Sequence, residues 1–196
     1  MTAVDAPRNE RVDGLRLVAV MIAVMWVLEV VDLLTGHPLD RLGIEPRDAD
    51  GLVGVLVAPF LHFGFGHLVA NTVPFAVLGG VIALGGALRV LAVTVVTALV
   101  SGIGVWLIAP EFSVTAGASG LVFGYAAYLV ARGVVARDLL NLAVGAVVVA
   151  VFGAGLLAGL LPQTGISWQG HLFGAVGGVL AARLLHGRRP QVAPAP

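Results

Sequence analysis

Residues 117–135 read GASGLVFGYAAYLVARGVV, an apolar segment that is long enough to cross the hydrocarbon core of a membrane as a helix. Ser119 stands at the start of this segment, between Gly117 and Gly120. A serine in a membrane helix is ordinarily a small packing residue that bonds the carbonyl one turn back. Here the glycines leave the hydroxyl uncrowded, and the start of a helix offers free backbone N–H groups and a positive dipole end. The segment therefore predicts both a membrane span and a candidate nucleophile.

The whole chain has the composition of an integral membrane protein with one compact domain. Of its 196 residues, 59% are hydrophobic and 11% are charged. A helix needs about 20 mostly apolar residues to span a bilayer. This criterion predicts an all-α bundle of six transmembrane helices, over residues 15–35, 65–87, 90–109, 117–135, 139–160 and 171–186.

The segments outside these spans differ in character. Residues 1–14 and 187–196 are polar or rich in proline, which predicts disordered tails on either side of a domain at 15–186. The long connection at 36–64 contains an apolar stretch, 52–60, that is too short to span a membrane. We expect this loop to lie in the interface or to dip into the protein.

The positions of the arginines predict the orientation, since cytoplasmic flanks collect positive charge. The chain has no lysine and 11 arginines. If both termini are cytoplasmic, nine arginines lie inside and only Arg41 and Arg47 lie outside. The first apolar run exceeds the apolar region of a signal peptide, so a retained span is expected there. Together with the small size, these features predict a multi-pass protein of a bacterial plasma membrane.

The composition also excludes several classes of function. The chain has no cysteine, which excludes a disulfide framework, a thiol nucleophile and thiolate metal ligands. Eleven basic residues balance 11 acidic ones, so nothing indicates nucleic acid as a partner. No cofactor is expected. A transporter is disfavoured, because the spans lack charge at mid-membrane depth, unwound helix pairs and an internal repeat.

Polar side chains collect at the starts of three spans. With both termini inside, spans two, four and six all run from outside to inside, so their first residues lie at one level near the outer face. His67 and Asn71 lie near the start of span two, Ser119 at the start of span four and His171 at the start of span six. A histidine within a membrane is costly and indicates a functional site. The pattern predicts Ser119 as a nucleophile and His171 as its base.

The residues that follow these two predict close helix packing. Gly174 and Gly178 follow His171 at i+3 and i+7, and a glycine face lets a neighbouring helix approach closely. Phe123 lies at i+4 from Ser119, where its ring can pack against the imidazole of His171. We expect spans four and six to lie side by side.

The remaining polar residues near this level have simpler interpretations as well. His67 and Asn71 share a helix face, where they form either a local hydrogen-bonded pair or two donors to the negative oxygen of a tetrahedral intermediate. His62 lies outside that periodicity and is interpreted as structural. No metal site is expected, because the chain has no HExxH motif and no carboxylate at the depth of the histidines. Glu111 is interpreted as a solvated loop residue.

Three motifs, taken together, resemble a known family. LHFGFGHLVAN at 61–71, GASG at 117–120 and HLFGAVGG at 171–178 closely resemble the rhomboid family of intramembrane serine proteases. The resemblance covers the six-helix core. It implies that transmembrane proteins are cut near the outer face, at small residues. It also implies a partly embedded first loop at 36–64, and a mobile gate and cap formed by span five and residues 161–170.

The resemblance further implies roles for single residues. Ser119 matches the nucleophile of the family, and His171 matches its general base and acid. His67 and Asn71 match the side chains that join the backbone N–H of the serine in the oxyanion hole. A dyad without a third acidic member is therefore implied.

Two positions depart from the pattern of the family. Phe123 stands where many members have a tyrosine, which keeps the aromatic ring and removes its hydroxyl. The first loop has Pro46-Arg47 where the family often has Trp-Arg, which bears on how the loop is anchored. The alternative function is a rhomboid-like binder or chaperone of membrane proteins that has lost the dyad. The presence of both Ser119 and His171 counts against it.

Overall fold

Six long helices make up most of the protein. The computed structural model describes residues 6–187, and within this range no strand is present, only two isolated bridges. The predicted all-α bundle is confirmed. The helices are α1 (Arg8–Thr35), α2 (Phe65–Ala83), α3 (Ala87–Ile108), α4 (Ser119–Ala136), α5 (Leu139–Gly159) and α6 (Trp168–His186).

The ends of the helices differ from the predicted spans where polar residues are helical. Residues 8–14 already belong to α1, which corrects the expectation that they form part of a disordered tail. Polar residues can continue a helix outside the hydrocarbon core, where their side chains meet water. A prediction of spans from hydropathy therefore misses such helical residues. Residues 1–5, which are part of the first predicted tail, and residues 188–196, which are nearly all of the second, lie outside the described residues.

The last helix begins one turn earlier than its predicted span. Ser167 caps α6, because its hydroxyl accepts a hydrogen bond from the Gly170 N–H at 3.3 Å. Trp168 is therefore the first helical residue. As a result, His171 lies in the first turn of α6 and does not open the helix.

Five of the six helices, α1 to α5, are long and apolar enough to cross a membrane. α6 has 19 residues, or about 28 Å at 1.5 Å per residue, but it is less apolar. Its polar residues Gln169 and His171 are buried, because α6 packs between α3 and α4. The helix that falls below the criterion for a span is therefore packed against two others, where its buried polar groups face protein.

The helices α4 and α6 touch backbone to backbone. A Cβ atom placed on Gly174 would overlap the carbonyl oxygen of Gly120, and one on Gly178 would overlap the carbonyl oxygen of Gly124. Small residues permit this approach, which replaces the hydrophobic driving force that is absent between helices in lipid. The predicted side-by-side arrangement of spans four and six is present in the structure.

The connection between α1 and α2 lies against the protein. It forms short helical turns at Leu39–Leu42, Asp50–Leu52, Gly54–Val57 and Ala58–Phe60. Val55 packs so closely on α3 that a Cβ atom on Gly102 would lie 2.8 Å from its side chain. One face of this apolar stretch is thus packed against a helix, while Leu52, Val53 and Leu56 on its other face are exposed.

Replacing Gly178 by alanine tests the contact between α4 and α6. The added methyl group meets the Gly124 carbonyl and lies 2.9 Å from the backbone nitrogen of Tyr128, so α6 must move. We expect a loss of about 1 to 3 kcal/mol in stability, measured as a lower thermal unfolding midpoint in detergent. Gly155→Ala in α5 is the matched control, because no atom lies within 4 Å of the added group. An equal midpoint for both variants would contradict the packing described.

Candidate active site

Ser119 is the first residue of α4 and is partly exposed, whereas Ala118 before it is fully buried. The first backbone N–H groups of a helix have no acceptor within that helix. The N–H groups at the start of α4 therefore lie beside the Ser119 hydroxyl, together with the positive end of the helix dipole. This arrangement favours negative charge near Ser119.

The long loop holds the segment before Ser119 in place through backbone hydrogen bonds. Ile44 and Thr115 form an antiparallel bridge, in which the Ile44 N–H donates at 2.8 Å and the Thr115 N–H at 3.0 Å. The Gly117 N–H donates to the Ala58 carbonyl at 2.9 Å. Gly117 has φ of 120°, which glycine adopts without strain. The chain therefore enters α4 along a fixed path.

His62 has a structural position, in agreement with its interpretation from the sequence. Its side chain is buried, and Nε2 accepts a hydrogen bond from the Ala118 N–H at 3.3 Å. Burial, together with the smaller effect of the neighbouring His67, lowers the pKa of His62 to about 4. The ring is therefore neutral at physiological pH and keeps the lone pair that receives the Ala118 N–H.

The imidazole of His171 is fixed by two contacts. Its Nδ1 donates a hydrogen bond to the Gly159 carbonyl at the end of α5, at 2.7 Å. Phe123 stacks on the ring with 4.0 Å between centroids and 8° between planes. Since a carbonyl only accepts, the proton of neutral His171 lies on Nδ1. Its Nε2 is left with a lone pair and can act as a base.

The two helices bring Ser119 and His171 to the same part of the bundle. Phe123, one turn after Ser119, stacks on His171, so the two residues lie on the facing sides of α4 and α6. Ser119 and Gly170, which precedes His171, line one pocket of about 30 Å³. A pocket of this size has room for about one water molecule.

His67 lies against the backbone that leads to this serine, and Asn71 lies one turn further along α2. The ring of His67 faces the backbone before α4, since a Cβ atom on Gly117 would lie 2.8 Å from Nε2. Nδ1 of His67 accepts a long hydrogen bond from the Phe63 N–H at 3.5 Å, which places the ring proton on Nε2. Asn71 is buried, and its Nδ2 donates to the His67 carbonyl at 3.0 Å. The second N–H of the Asn71 amide is not used by that bond.

Ser101 is a site residue that the sequence analysis did not identify. Its buried hydroxyl donates to the Gly170 carbonyl at 2.8 Å, and a Cβ atom on Gly120 would lie 2.5 Å from its oxygen. Ser101 thus joins α3 to α6 one residue before His171. A serine followed by Gly102 within an otherwise apolar span was the available signal.

Comparison with known proteins agrees with this geometry. A family model described as the rhomboid domain matches residues 49–188. The chain belongs to the rhomboid family. An uncharacterized protein of Mycobacterium tuberculosis is 40% identical over 193 residues, which cover 94% of this chain and 80% of the relative. An uncharacterized protein of Mycobacterium leprae is 41% identical over 183 residues, which cover 89% of this chain and 72% of the relative.

Membership of the family establishes the class of protein. Rhomboids are multi-pass membrane proteins and are generally intramembrane serine proteases, which agrees with the apolar helices found here. The resemblance stated from the three motifs is therefore confirmed.

The first loop of this rhomboid is anchored without the tryptophan that often precedes its arginine. Arg47 donates from Nη1 to the Leu107 carbonyl at 3.1 Å and to the Ala109 carbonyl at 2.9 Å. These carbonyls lie at the end of α3, where no N–H of the same helix reaches them. A second hydrogen bond runs from α3 to the loop, because the indole N–H of Trp106 donates to the Asp48 carbonyl at 2.7 Å.

Glu111 belongs to the same anchor. Its carboxylate accepts a hydrogen bond from Nε of Arg47 at 3.3 Å, and its side chain is 66% exposed. The solvated position expected from the sequence is present, with an ion pair in addition. Glu111 therefore acts on the loop, and the Nδ1 proton of His171 goes to the Gly159 carbonyl instead.

Replacing Arg47 by alanine should loosen the loop of this rhomboid. The variant leaves two carbonyls at the end of α3 without a side-chain donor, at a cost of about 1 to 2 kcal/mol. We expect faster hydrogen exchange at the Ile44 and Thr115 amides, measured by mass spectrometry in detergent. Arg41→Ala is the matched control, because Arg41 is an exposed arginine of the same loop. Unchanged exchange in Arg47→Ala would show that the anchor does not hold the segment before Ser119.

Proposed function

We propose that this rhomboid is an intramembrane serine endopeptidase that cuts transmembrane segments of other proteins through Ser119 and His171. The observation that carries the proposal is the hydrogen bond from Nδ1 of His171 to the Gly159 carbonyl. This bond directs the lone pair of Nε2 away from α5 and leaves it as the only basic atom of the ring. The stacked ring of Phe123 keeps that orientation.

The chemistry begins with transfer of the Ser119 hydroxyl proton to Nε2 of His171. The serine Oγ forms a bond to the carbonyl carbon of the scissile peptide, whose oxygen takes up the negative charge. The C–N bond then breaks, and the imidazolium gives its proton to the leaving amine. Water attacks the resulting acyl-enzyme with His171 again as base, which releases the new carboxylate and restores Ser119.

The negative oxygen of the tetrahedral intermediate has donors on two sides. The Ser119 backbone N–H lies at the start of α4, where the helix itself does not use it. Nε2–H of His67 and the second N–H of Asn71 supply the other side. Oxyanion donors of this kind contribute about 100- to 1,000-fold each to the rate.

The pocket beside Ser119 favours a small side chain in the substrate. Its walls include Ser101, Gly102, Val105 and Gly170, and its volume is about 30 Å³. A cavity of that size has room for a water molecule, and the short side chains that line it favour a small substrate side chain. We therefore expect cleavage after a small residue such as alanine.

The distribution of arginines supports an active site that opens toward the outer face of the plasma membrane. Placing both termini in the cytoplasm leaves only two of 11 arginines outside. The start of α4 then lies at the outer end of the bundle. Substrates would be cut near the outer end of their transmembrane segments.

Variants of the dyad test the proposed activity. Purified full-length protein is mixed with a model transmembrane substrate in detergent and, separately, with a fluorophosphonate that modifies activated serines. We expect Ser119→Ala and His171→Ala each to reduce cleavage by at least about 1,000-fold. Asn71→Ala should reduce it by about 100-fold or more through loss of an oxyanion donor.

Two matched variants control for general damage. Ser113→Ala removes a loop hydroxyl that donates to the Pro110 carbonyl. His186→Ala removes a histidine from the other end of α6, where it bonds Tyr128. Both should cleave the substrate at close to the wild-type rate. If wild type cuts no faster than Ser119→Ala and the fluorophosphonate leaves Ser119 unmodified, the protein is a rhomboid-like binder and the proposal fails.

Gly159→Ala tests the contact that orients His171. The added methyl group would lie 2.7 Å from the Phe123 ring and 3.1 Å from Nδ1, so the imidazole must shift. We expect a roughly 10- to 100-fold slower reaction of Ser119 with the fluorophosphonate, since small displacements of reacting groups cost that much. Gly155→Ala, one turn earlier in α5, should react like wild type. Equal rates for the two variants would show that the end of α5 does not orient the base.

A further inference from the structure

Three titratable side chains meet at the end of α1, in the first turn of the long loop. Oδ2 of Asp32 lies 3.0 Å from Nδ1 of His37, and that nitrogen lies 3.9 Å from Oδ2 of Asp40. One donor atom from each of the three residues lies within 4.8 Å of the other two. Asp32 is buried, whereas the His37 side chain is 48% exposed. The cluster is therefore buried on the side of Asp32 and open to solvent on the side of His37.

A fourth group faces the same place without a hydrogen-bond partner on one of its oxygens. Glu29 lies one turn before Asp32 on α1 and is 3% exposed. Among the described residues, its Oε2 has no hydrogen-bond partner. Glu29, Asp32 and Asp40 line one cleft, which is too narrow to hold a water molecule. Water in the cleft therefore cannot satisfy this oxygen.

Buried carboxylates without compensating charge are costly. An ionised carboxylate that is removed from water without a partner is strongly destabilised, and neighbouring negative charges add to that cost. The cleft brings together Glu29, Asp32 and Asp40, and the imidazole of His37 is the basic group within hydrogen-bond distance. A positive ion beside these carboxylates removes the repulsion and offsets the negative charge of the unpartnered Glu29 that lines the same cleft.

We propose that Asp32, His37 and Asp40 form a binding site for a divalent metal cation, beside the unpartnered carboxylate oxygen of Glu29. Two ligands that each lie about 2.1 Å from one ion are themselves about 3.0 to 4.2 Å apart, depending on the angle between them. The distances of 3.0 Å and 3.9 Å from Nδ1 of His37 fall within this range. Carboxylate oxygens combined with an imidazole nitrogen suit Zn²⁺ or Mn²⁺ better than Ca²⁺ or Mg²⁺, which favour oxygen ligands alone.

The proposed site fastens the long loop to α1. Glu29 and Asp32 belong to the helix, whereas His37 and Asp40 belong to the loop. Asp32 also accepts the Leu39 N–H through Oδ1 at 2.6 Å, so Oδ2, which pairs with Nδ1 of His37, is the oxygen that binds the ion once that nitrogen carries no proton. None of the three histidines near Ser119 is a ligand of this site, although His62 lines the same cleft. Cation binding can therefore be measured without proteolysis as the readout.

Calorimetric titration tests the proposal directly. The full-length protein is prepared in detergent without a polyhistidine tag, stripped with a chelator, and titrated with Zn²⁺, Mn²⁺, Ca²⁺ and Mg²⁺. We expect one equivalent of Zn²⁺ or Mn²⁺ to bind, at least tenfold more tightly than Ca²⁺ or Mg²⁺. The bound ion should raise the thermal unfolding midpoint, because it binds only the folded protein.

Variants that preserve the local hydrogen bonds identify the ligands. Asp32→Asn keeps an oxygen for the Leu39 N–H while removing the charge. His37→Asn removes the imidazole, and asparagine tolerates the φ of 63° found at this position. Each variant should weaken binding by at least tenfold, whereas the exposed loop control Asp50→Asn should bind like wild type.

Two outcomes would overturn the proposal. If none of the four cations binds saturably to wild type, the carboxylates are neutralised by protons instead. If Zn²⁺ or Mn²⁺ binds but Asp32→Asn and His37→Asn retain wild-type affinity, the ion occupies another part of the protein. Because proteolysis is not the readout, either result leaves the proposal for Ser119 and His171 unaffected.

Discussion

The contact between the backbones of α4 and α6 is the constraint on which the rest of the site depends. Gly174 and Gly178 let α6 approach so closely that any side chain at either position would overlap a carbonyl oxygen of α4. In lipid, helices associate through such packing, because no hydrophobic force drives them together. Ser119 and His171 are carried by these two backbones. Their separation is therefore set by rigid elements and needs no adjustment of long side chains.

The long first loop supplies the second half of this geometry. Its backbone pairs with Thr115 and Gly117, and its buried His62 receives the N–H of Ala118. Three residues of the loop, Ile44, Ala58 and His62, thus fix the chain that leads to Ser119. Arg47 binds carbonyls at the end of α3, and Trp106 of α3 binds a carbonyl of the loop. The loop is therefore attached to α3 although no tryptophan precedes Arg47.

The sequence predicted the parts of the fold that depend on local patterns. Apolar length gave the six helices, and the i+4 spacing of Phe123 from Ser119 gave the ring that stacks on His171. The hydrogen bond from His171 to the Gly159 carbonyl could not be predicted, because every residue has a backbone carbonyl and the sequence does not show which one accepts. The start of α6 was also misplaced, since a cap by Ser167 and buried polar residues do not register as apolar length. The roles of the candidate site residues stay predictions that rest on this geometry.

The acceptor for His171 comes from the helix with the least support. α5 packs mainly on α4, and only 11% of its most apolar 18-residue segment is buried. Its last residue is Gly159. A displacement of the end of α5 would remove the acceptor of Nδ1 and bring the two tautomers of the imidazole closer in energy. The fraction of rings with a lone pair on Nε2 would then fall. The position of a peripheral helix is therefore coupled thermodynamically to the place of the proton on the His171 ring.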